Sequence, residues 1–110
     1  NPDATKDPTF RNMFRNAPTV VFIAAPEGAY AGVNCGLLGE NMILAAWSMG
    51  IGSCCLGGPV AFMKSEIAAD YLSQLNFSEG YTLLYAIGFG YPAEAPDARP
   101  RDESKISFVD

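Results

Sequence analysis

Histidine is absent from these 110 residues, which removes Ser-His-Asp and Cys-His nucleophilic catalysis and the commonest zinc ligand. Cysteine is scarce. Cys35, Cys54 and Cys55 are odd in number and lack paired metal-ligand spacing, so neither a disulfide framework nor a metal site is expected, and free thiols in a reducing compartment fit best. Basic residues are few as well: seven Lys and Arg stand against twelve Asp and Glu, a net charge of −5, and nucleic acid is excluded as the main partner. No apolar run reaches the roughly 18 residues of a membrane span, and no charged-then-apolar leader opens the chain, so the expectation is a soluble, cytoplasmic protein without a membrane partner. Internal repeats and low-complexity tracts are also missing.

What the chain has is apolar surface, 49% of its residues against 17% charged, enough for one domain or a part of one. Residues 1–17 carry two prolines and mixed charge and read as a connecting segment, with Phe10, Met13 and Phe14 spaced like one face of a short helix. Residues 18–91 read as the core. A β-branched and aromatic run at 19–25 predicts a strand covered on both faces. Asn34 is a candidate cap for a helix of about 16 residues, roughly 24 Å long, whose apolar positions surround nearly the whole cylinder. Gly36 and Gly39 offer another helix a close approach, and Gly50 stands where a left-handed cap belongs. A short strand at 51–56 follows, then Gly57, Gly58 and Pro59, expected to break regular structure and leave backbone N–H groups accessible. Ser65 is placed to cap a surface helix burying Ile67, Tyr71, Leu72 and Leu75, and 81–91 predicts a long strand in which Gly88 and Gly90 admit a bulge or a close neighbour. Residues 92–110, with prolines at 92, 96 and 100, predict an extended arm, and Ile106, Phe108 and Val109 a short strand seeking a sheet edge.

Three features bear on chemistry. The stretch GIGSCCLGG lacks the third glycine of a dinucleotide fingerprint and follows a helix instead of a strand, leaving a plain helix cap and loop or a ligand-facing backbone loop. Cys54 and Cys55 lack redox-motif spacing and read as buried small hydrophobes. Arg99 and Arg101, two of four arginines, sit two apart in the extended arm, which puts both guanidinia on one side. That suits a phosphate, and equally a solvated tail paired with Asp97, Asp102 and Glu103.

In this order, Ala17-Pro18 opening an apolar strand, the helix GENMILAAWSMGIGS, the strand-loop CCLGG, the strand ending GFGYP and the arm's ARPR resemble the C-terminal half of the FMN-dependent nitroreductase family. Strand-helix alternation alone suggests a parallel doubly wound sheet. The resemblance implies instead an α+β fold with a mixed, largely antiparallel sheet, helices on both faces and a C-terminal arm exchanged across a homodimer. It also implies a chain close to twice this length, whose N-terminal half lies outside these residues. The implied activity is transfer of a hydride from NAD(P)H through FMN to a nitroaromatic, quinone or similar small-molecule acceptor. FMN would be bound by Cys55, Leu56, Gly57 and Gly58 against the ring and by Arg99 and Arg101 at the phosphate, with no catalytic side chain required. In many members a Glu stands at the position of Gly57, so the substrate side differs here. The competing reading is a non-catalytic flavin-binding or dimer-assembly module.

Overall fold

The structure, a computed structural model, describes Lys6 and residues 11–110. The elements are β1 (Thr19–Pro26), α1 (Ala31–Ser48), β2 (Gly52–Leu56), α2 (Gly58–Met63), α3 (Ala69–Gln74) and β3 (Tyr81–Gly90), with 3-10 turns at Glu66–Ala68 and Glu103–Lys105. Strand order is β1-β3-β2, and β3 runs antiparallel to both neighbours. The doubly wound parallel sheet suggested by alternation is therefore overturned. β1 and β2 do run the same way with α1 between them, but β3 is inserted between the two. The ten-residue apolar β3 takes the centre, where both edges of its backbone find partners.

Strand alternation sends Ile23 and Ile87 to one face, where Cys35, Met42 and Ile43 of α1 cover them. Ala86 and Leu56 face the other way, under Val60, Met63 and Ala68. Helices thus lie on both faces. A bulge adjusts this division. Ile23 pairs with Tyr85 and Ala24 with Leu83, leaving Leu84 as the extra residue. The parity of β3 flips there, so Leu83 joins Ala86 in the α2–α3 layer while Leu84 packs with the α1 layer. The bulge expected at Gly88 or Gly90 sits at Leu84 instead. The two glycines do admit close neighbours, since a Cβ would lie 3.0 Å from Ala17 Cβ at Gly88 and 3.0 Å from Pro18 Cδ at Gly90.

Helix α1 starts earlier than Asn34. The N–H of Ala31 donates to Gly28 O and that of Asn34 to Tyr30 O, so Asn34 lies inside the first turn and no side chain caps the helix. Its end is as expected. Gly50 takes φ 77°, the N–H of Gly50 donates to Trp47 O, and that of Ile51 to Ala46 O, the paired bonds of a Schellman cap. Cys35, Gly39, Met42 and Ala46 form the stripe against the sheet. Val33, Leu37, Leu44 and Trp47 form the opposite stripe, 58–66% exposed in this chain.

Gly39 receives a tyrosine where a helix was expected. The Tyr85 hydroxyl donates to Cys35 O at 2.5 Å, beside the backbone of Gly39 one turn on. A Cβ on Gly39 would lie 1.9 Å from that oxygen, which only glycine allows. Gly36 has nothing within 4 Å of an added Cβ. Burial, then the neighbouring Cys55 and Cys35 thiols, raise the Tyr85 pKa, while the Gly39 N–H lowers it by a smaller amount.

Beyond β2 the outcome differs from expectation. Gly57 and Gly58 do not interrupt regular structure: Gly57 is the cap position of α2 and Pro59 sits in its first turn, where a missing N–H costs nothing. The Ser65 hydroxyl donates to Phe62 O at 2.6 Å instead of capping forward. The chain then rotates so that Ala68, Leu72 and Leu75 face the core, leaving Tyr71 exposed and Ile67 85% exposed. Residues 92–110 are extended and exposed, and Ile106, Phe108 and Val109 form no strand among the described residues. Phe10 lies outside the described residues; Met13 and Phe14 belong to a turn, with the Phe14 ring edge-on to Phe22 at 6.1 Å.

The Cα radius of gyration is 17.2 Å, against roughly 13 Å for a compact domain of this length. Accessible surface is 8949 Å², where a compact monomer of 11.7 kDa exposes roughly 5,900 Å². Among the described residues no helix is long and apolar enough to cross a membrane, and no group of three or more His, Cys, Asp or Glu is placed to hold a metal ion.

Candidate functional site

The turn before β1 and the β2–α2 junction enclose a cleft of about 350 Å³. Arg11, Asn12, Met13 and Arg15 line one wall; Cys54, Cys55, Leu56, Gly57, Gly58 and Pro59 line the other. The four site residues expected in this loop, Cys55 to Gly58, are thus together on one surface. Arg99 and Arg101 are elsewhere, on the exposed arm, where Arg101 Nη1 donates to Arg99 O at 2.9 Å and the guanidinium folds back along the chain. Next to them Asp102 accepts from the Ser104 hydroxyl and backbone N–H, and these bonds hold its carboxyl below the usual pKa.

Gly57 has φ −87°, which any residue adopts, and neither glycine is in the left-handed region; Gly58, in the first turn of α2, stands directly before Pro59, where a Cβ is disfavoured in helical backbone. A Cβ at either meets nothing within 4 Å. The space such a Cβ would occupy is open to the cleft, which makes this backbone a fit cradle for a flat group that must approach closely.

Cys54 and Cys55 correct the sequence reading. Both are exposed and free, whereas Cys35 alone is buried. β2 is an edge strand, and both thiols stay exposed on it. Adjacent residues of a strand point to opposite faces, and the Cys54 thiol donates to Cys55 O at 3.5 Å.

The opposite wall was missed from sequence. Asn12 Oδ1 accepts from the N–H groups of Phe14 and Asn16, both at 2.9 Å, and Asn16 Oδ1 accepts from the Asn12 N–H at 3.0 Å. This closed ring holds Arg15 at φ 58° and Asn16 at φ 56°. Left-handed backbone costs a non-glycine residue about 1–2 kcal/mol, least for Asn, and each of the three hydrogen bonds offsets about 0.5–1.5 kcal/mol. The signal was the doublet Arg-Asn repeated four residues apart in RNMFRN.

Comparison with known proteins follows from this geometry. The sequence model of the Nitroreductase family matches residues 2–91, most of the chain and all of the β2–α2 loop. The chain belongs to the nitroreductase family. A relative, the NADPH-flavin oxidoreductase of Vibrio harveyi, is 33% identical over 69 residues, covering 63% of this chain and 27% of its own length. A nitroreductase with bound FMN from Desulfitobacterium hafniense DCB-2 superposes with a TM-score of 0.79 at 28% identity over 89% of this chain and 54% of its own. Another with bound FMN, from Bacteroides fragilis NCTC 9343, reaches a TM-score of 0.79 at 24% identity over 99% of this chain and 59% of its own, a likeness of fold. The chain therefore spans well under two thirds of these relatives. The fold is nitroreductase-like α+β, with antiparallel ladders and helices on both faces of the sheet. Arg99 and Arg101 lie beyond the family match.

Proposed function

We propose that the protein containing this chain is an FMN-dependent oxidoreductase that takes reducing equivalents from NAD(P)H and passes them to a nitroaromatic, quinone or similar acceptor in a ping-pong cycle. The observation that carries the reading is the pair Gly57 and Gly58 lining a cleft, with nothing of the described chain within 4 Å of a Cβ at either. FMN supplies the two-electron chemistry when bound, so no side chain of this chain is required as a nucleophile or a proton donor. Cys55, Leu56, Gly57 and Gly58 hold the ring; Arg99 and Arg101 hold the phosphate.

Because those arginines lie away from the cleft, the reading needs a homodimer in which the arm crosses to the other subunit. The exposed stripe Val33, Leu37, Leu44 and Trp47 supports this as the seat of a second copy, and the extended arm as its strap. A cytoplasmic setting suits the free thiols.

The test is the absorption spectrum of the intact protein, with NAD(P)H oxidation measured in the presence of a nitroaromatic or a quinone, for the wild type and for Gly58→Val. The expected wild type is yellow and active. Gly58→Val, whose Cβ meets nothing within 4 Å but stands before Pro59, should fold with a lowered melting temperature and lose FMN. A colourless full-length dimer that refuses added FMN would leave the assembly-module reading in its place, and a Gly58→Val protein that keeps its flavin would remove the role of the loop.

A further inference from the structure

Among the described residues that line the cleft beside the β2–α2 loop, the charged side chains are the guanidinium groups of Arg11 and Arg15, in a protein of net charge −5. One of the two is held at a backbone angle that Arg rarely adopts, inside the ring of Asn12 and Asn16 hydrogen bonds. An unfavourable conformation kept in place by its surroundings, next to a cavity, marks a position where placement of the side chain matters. Guanidinium is also the group best matched to a planar oxyanion, through paired N–H donors.

We propose that Arg15 forms an anion-recognition edge of the cleft, so that the ligand admitted against the loop carries a carboxylate or a phosphate. This rests on the oxidoreductase reading, and it narrows the substrate class. The oxyanion belongs either to an acidic aromatic acceptor or to the phosphates of a nicotinamide dinucleotide. Arg99 and Arg101, which the reading above assigns to the flavin phosphate, are separate from this edge.

Titration calorimetry on the full-length protein tests it, with 4-nitrobenzoate, its neutral isostere 4-nitrobenzamide, and NADP⁺ as ligands, for the wild type, Arg15→Gln and Arg15→Lys. Loss of a charge-assisted pair should weaken at least one anionic ligand roughly tenfold to a hundredfold in Arg15→Gln. Arg15→Lys should recover part of that, and 4-nitrobenzamide should stay within about twofold throughout, the usual range for a surface change. Weakening confined to 4-nitrobenzoate identifies an acidic acceptor; weakening confined to NADP⁺ identifies the dinucleotide. Equal weakening of the neutral ligand overturns the proposal, as does a wild type that binds neither anion or an Arg15→Gln protein indistinguishable from it. Retention of FMN and of riboflavin is recorded in parallel: loss of FMN alone in Arg15→Gln also overturns it, because the anion would be the flavin's own phosphate. A wild type that holds no flavin defeats the oxidoreductase reading, while the calorimetry still reports on Arg15.

Discussion

Replacing Gly39 by Ala isolates the contact that fixes α1 over the sheet. The added methyl would stand 1.9 Å from the Tyr85 hydroxyl oxygen, 3.0 Å from Cζ and 3.3 Å from Cε2. The ring cannot swing away, because Tyr85 packs against both core clusters. The hydroxyl must therefore leave the Cys35 carbonyl, losing a bond worth about 0.5–1.5 kcal/mol, and the overpacked ring costs about 1–3 kcal/mol more. Against this stands the gain of about 0.8–1 kcal/mol for Ala over Gly in a helix interior. Gly39→Ala should thus destabilise by about 1–3 kcal/mol.

Tyr85→Phe alone should cost about 1 kcal/mol, the lost hydrogen bond. In the double variant the 1.9 Å overlap no longer exists and the nearest ring carbon, at 3.0 Å, needs to give only a few tenths of an ångström. The pair should then be non-additive, with the double variant no less stable than Gly39→Ala and a coupling of about 1–2 kcal/mol. Gly36→Ala, three residues away with open space around it, is the control and should be neutral or stabilising by up to about 1 kcal/mol. Urea unfolding of the four proteins of the cycle measures this. Additivity within about 0.5 kcal/mol would refute the argument, since it would mean that the hydroxyl does not occupy the space beside Gly39.

Three further outcomes are expected. The raised Tyr85 pKa means that the unfolded chain releases this proton first, so stability holds below the ordinary value of 10.0 and falls as pH rises through the folded value; the alkaline loss should be smaller in Tyr85→Phe, by thermal melts across pH 9–12. Leu37→Lys or Leu44→Glu, on the outward stripe of α1, should shift the full-length protein from dimer to monomer in sedimentation without removing its secondary structure, because both side chains are exposed in the single chain. Arg99→Ala with Arg101→Ala should weaken FMN roughly tenfold or more and leave riboflavin unchanged, by fluorescence titration; equal effects on both flavins would place these arginines away from the phosphate.

The elements most legible in the sequence were those whose signal is local. Gly50 as a left-handed cap and the apolar β3 follow from glycine chemistry and from ten consecutive strand-compatible residues. Strand order is not local. The largely antiparallel sheet was reached through the family resemblance, the place of β3 between β1 and β2 was not, and alternation of elements pointed to the wrong sheet. The Leu84 bulge was invisible for a similar reason, since parity is decided by what Leu83 can bury on the far face. Gly39 was read correctly as a close approach but given the wrong visitor, because Tyr85 is 46 positions downstream and nothing local marks it. At the cleft, the glycine doublet Gly57-Gly58 is visible in the sequence, while the turn that carries Arg15 was passed over because its backbone is set by two asparagine side chains closing on each other.

The surface of the chain ties these pieces together. It exposes about 3,000 Å² more than a compact monomer of its mass. That excess is not spread evenly. It includes the outward stripe of α1, the two exposed thiols of edge strand β2, and the whole arm after Gly90. Each is unfavourable in water by itself: large apolar side chains on a helix, unpaired backbone on an edge strand, and Phe108 and Val109 on an extended tail. All three are relieved together if the helix meets the same helix of another copy and the arm lies along that copy. The cleft at Gly57 and Gly58 is lined by the thiol-bearing end of edge strand β2, so whatever packs on β2 also borders the site. On this argument assembly and ligand binding are one event, and variants of the α1 stripe should lose flavin and dimer at the same protein concentration.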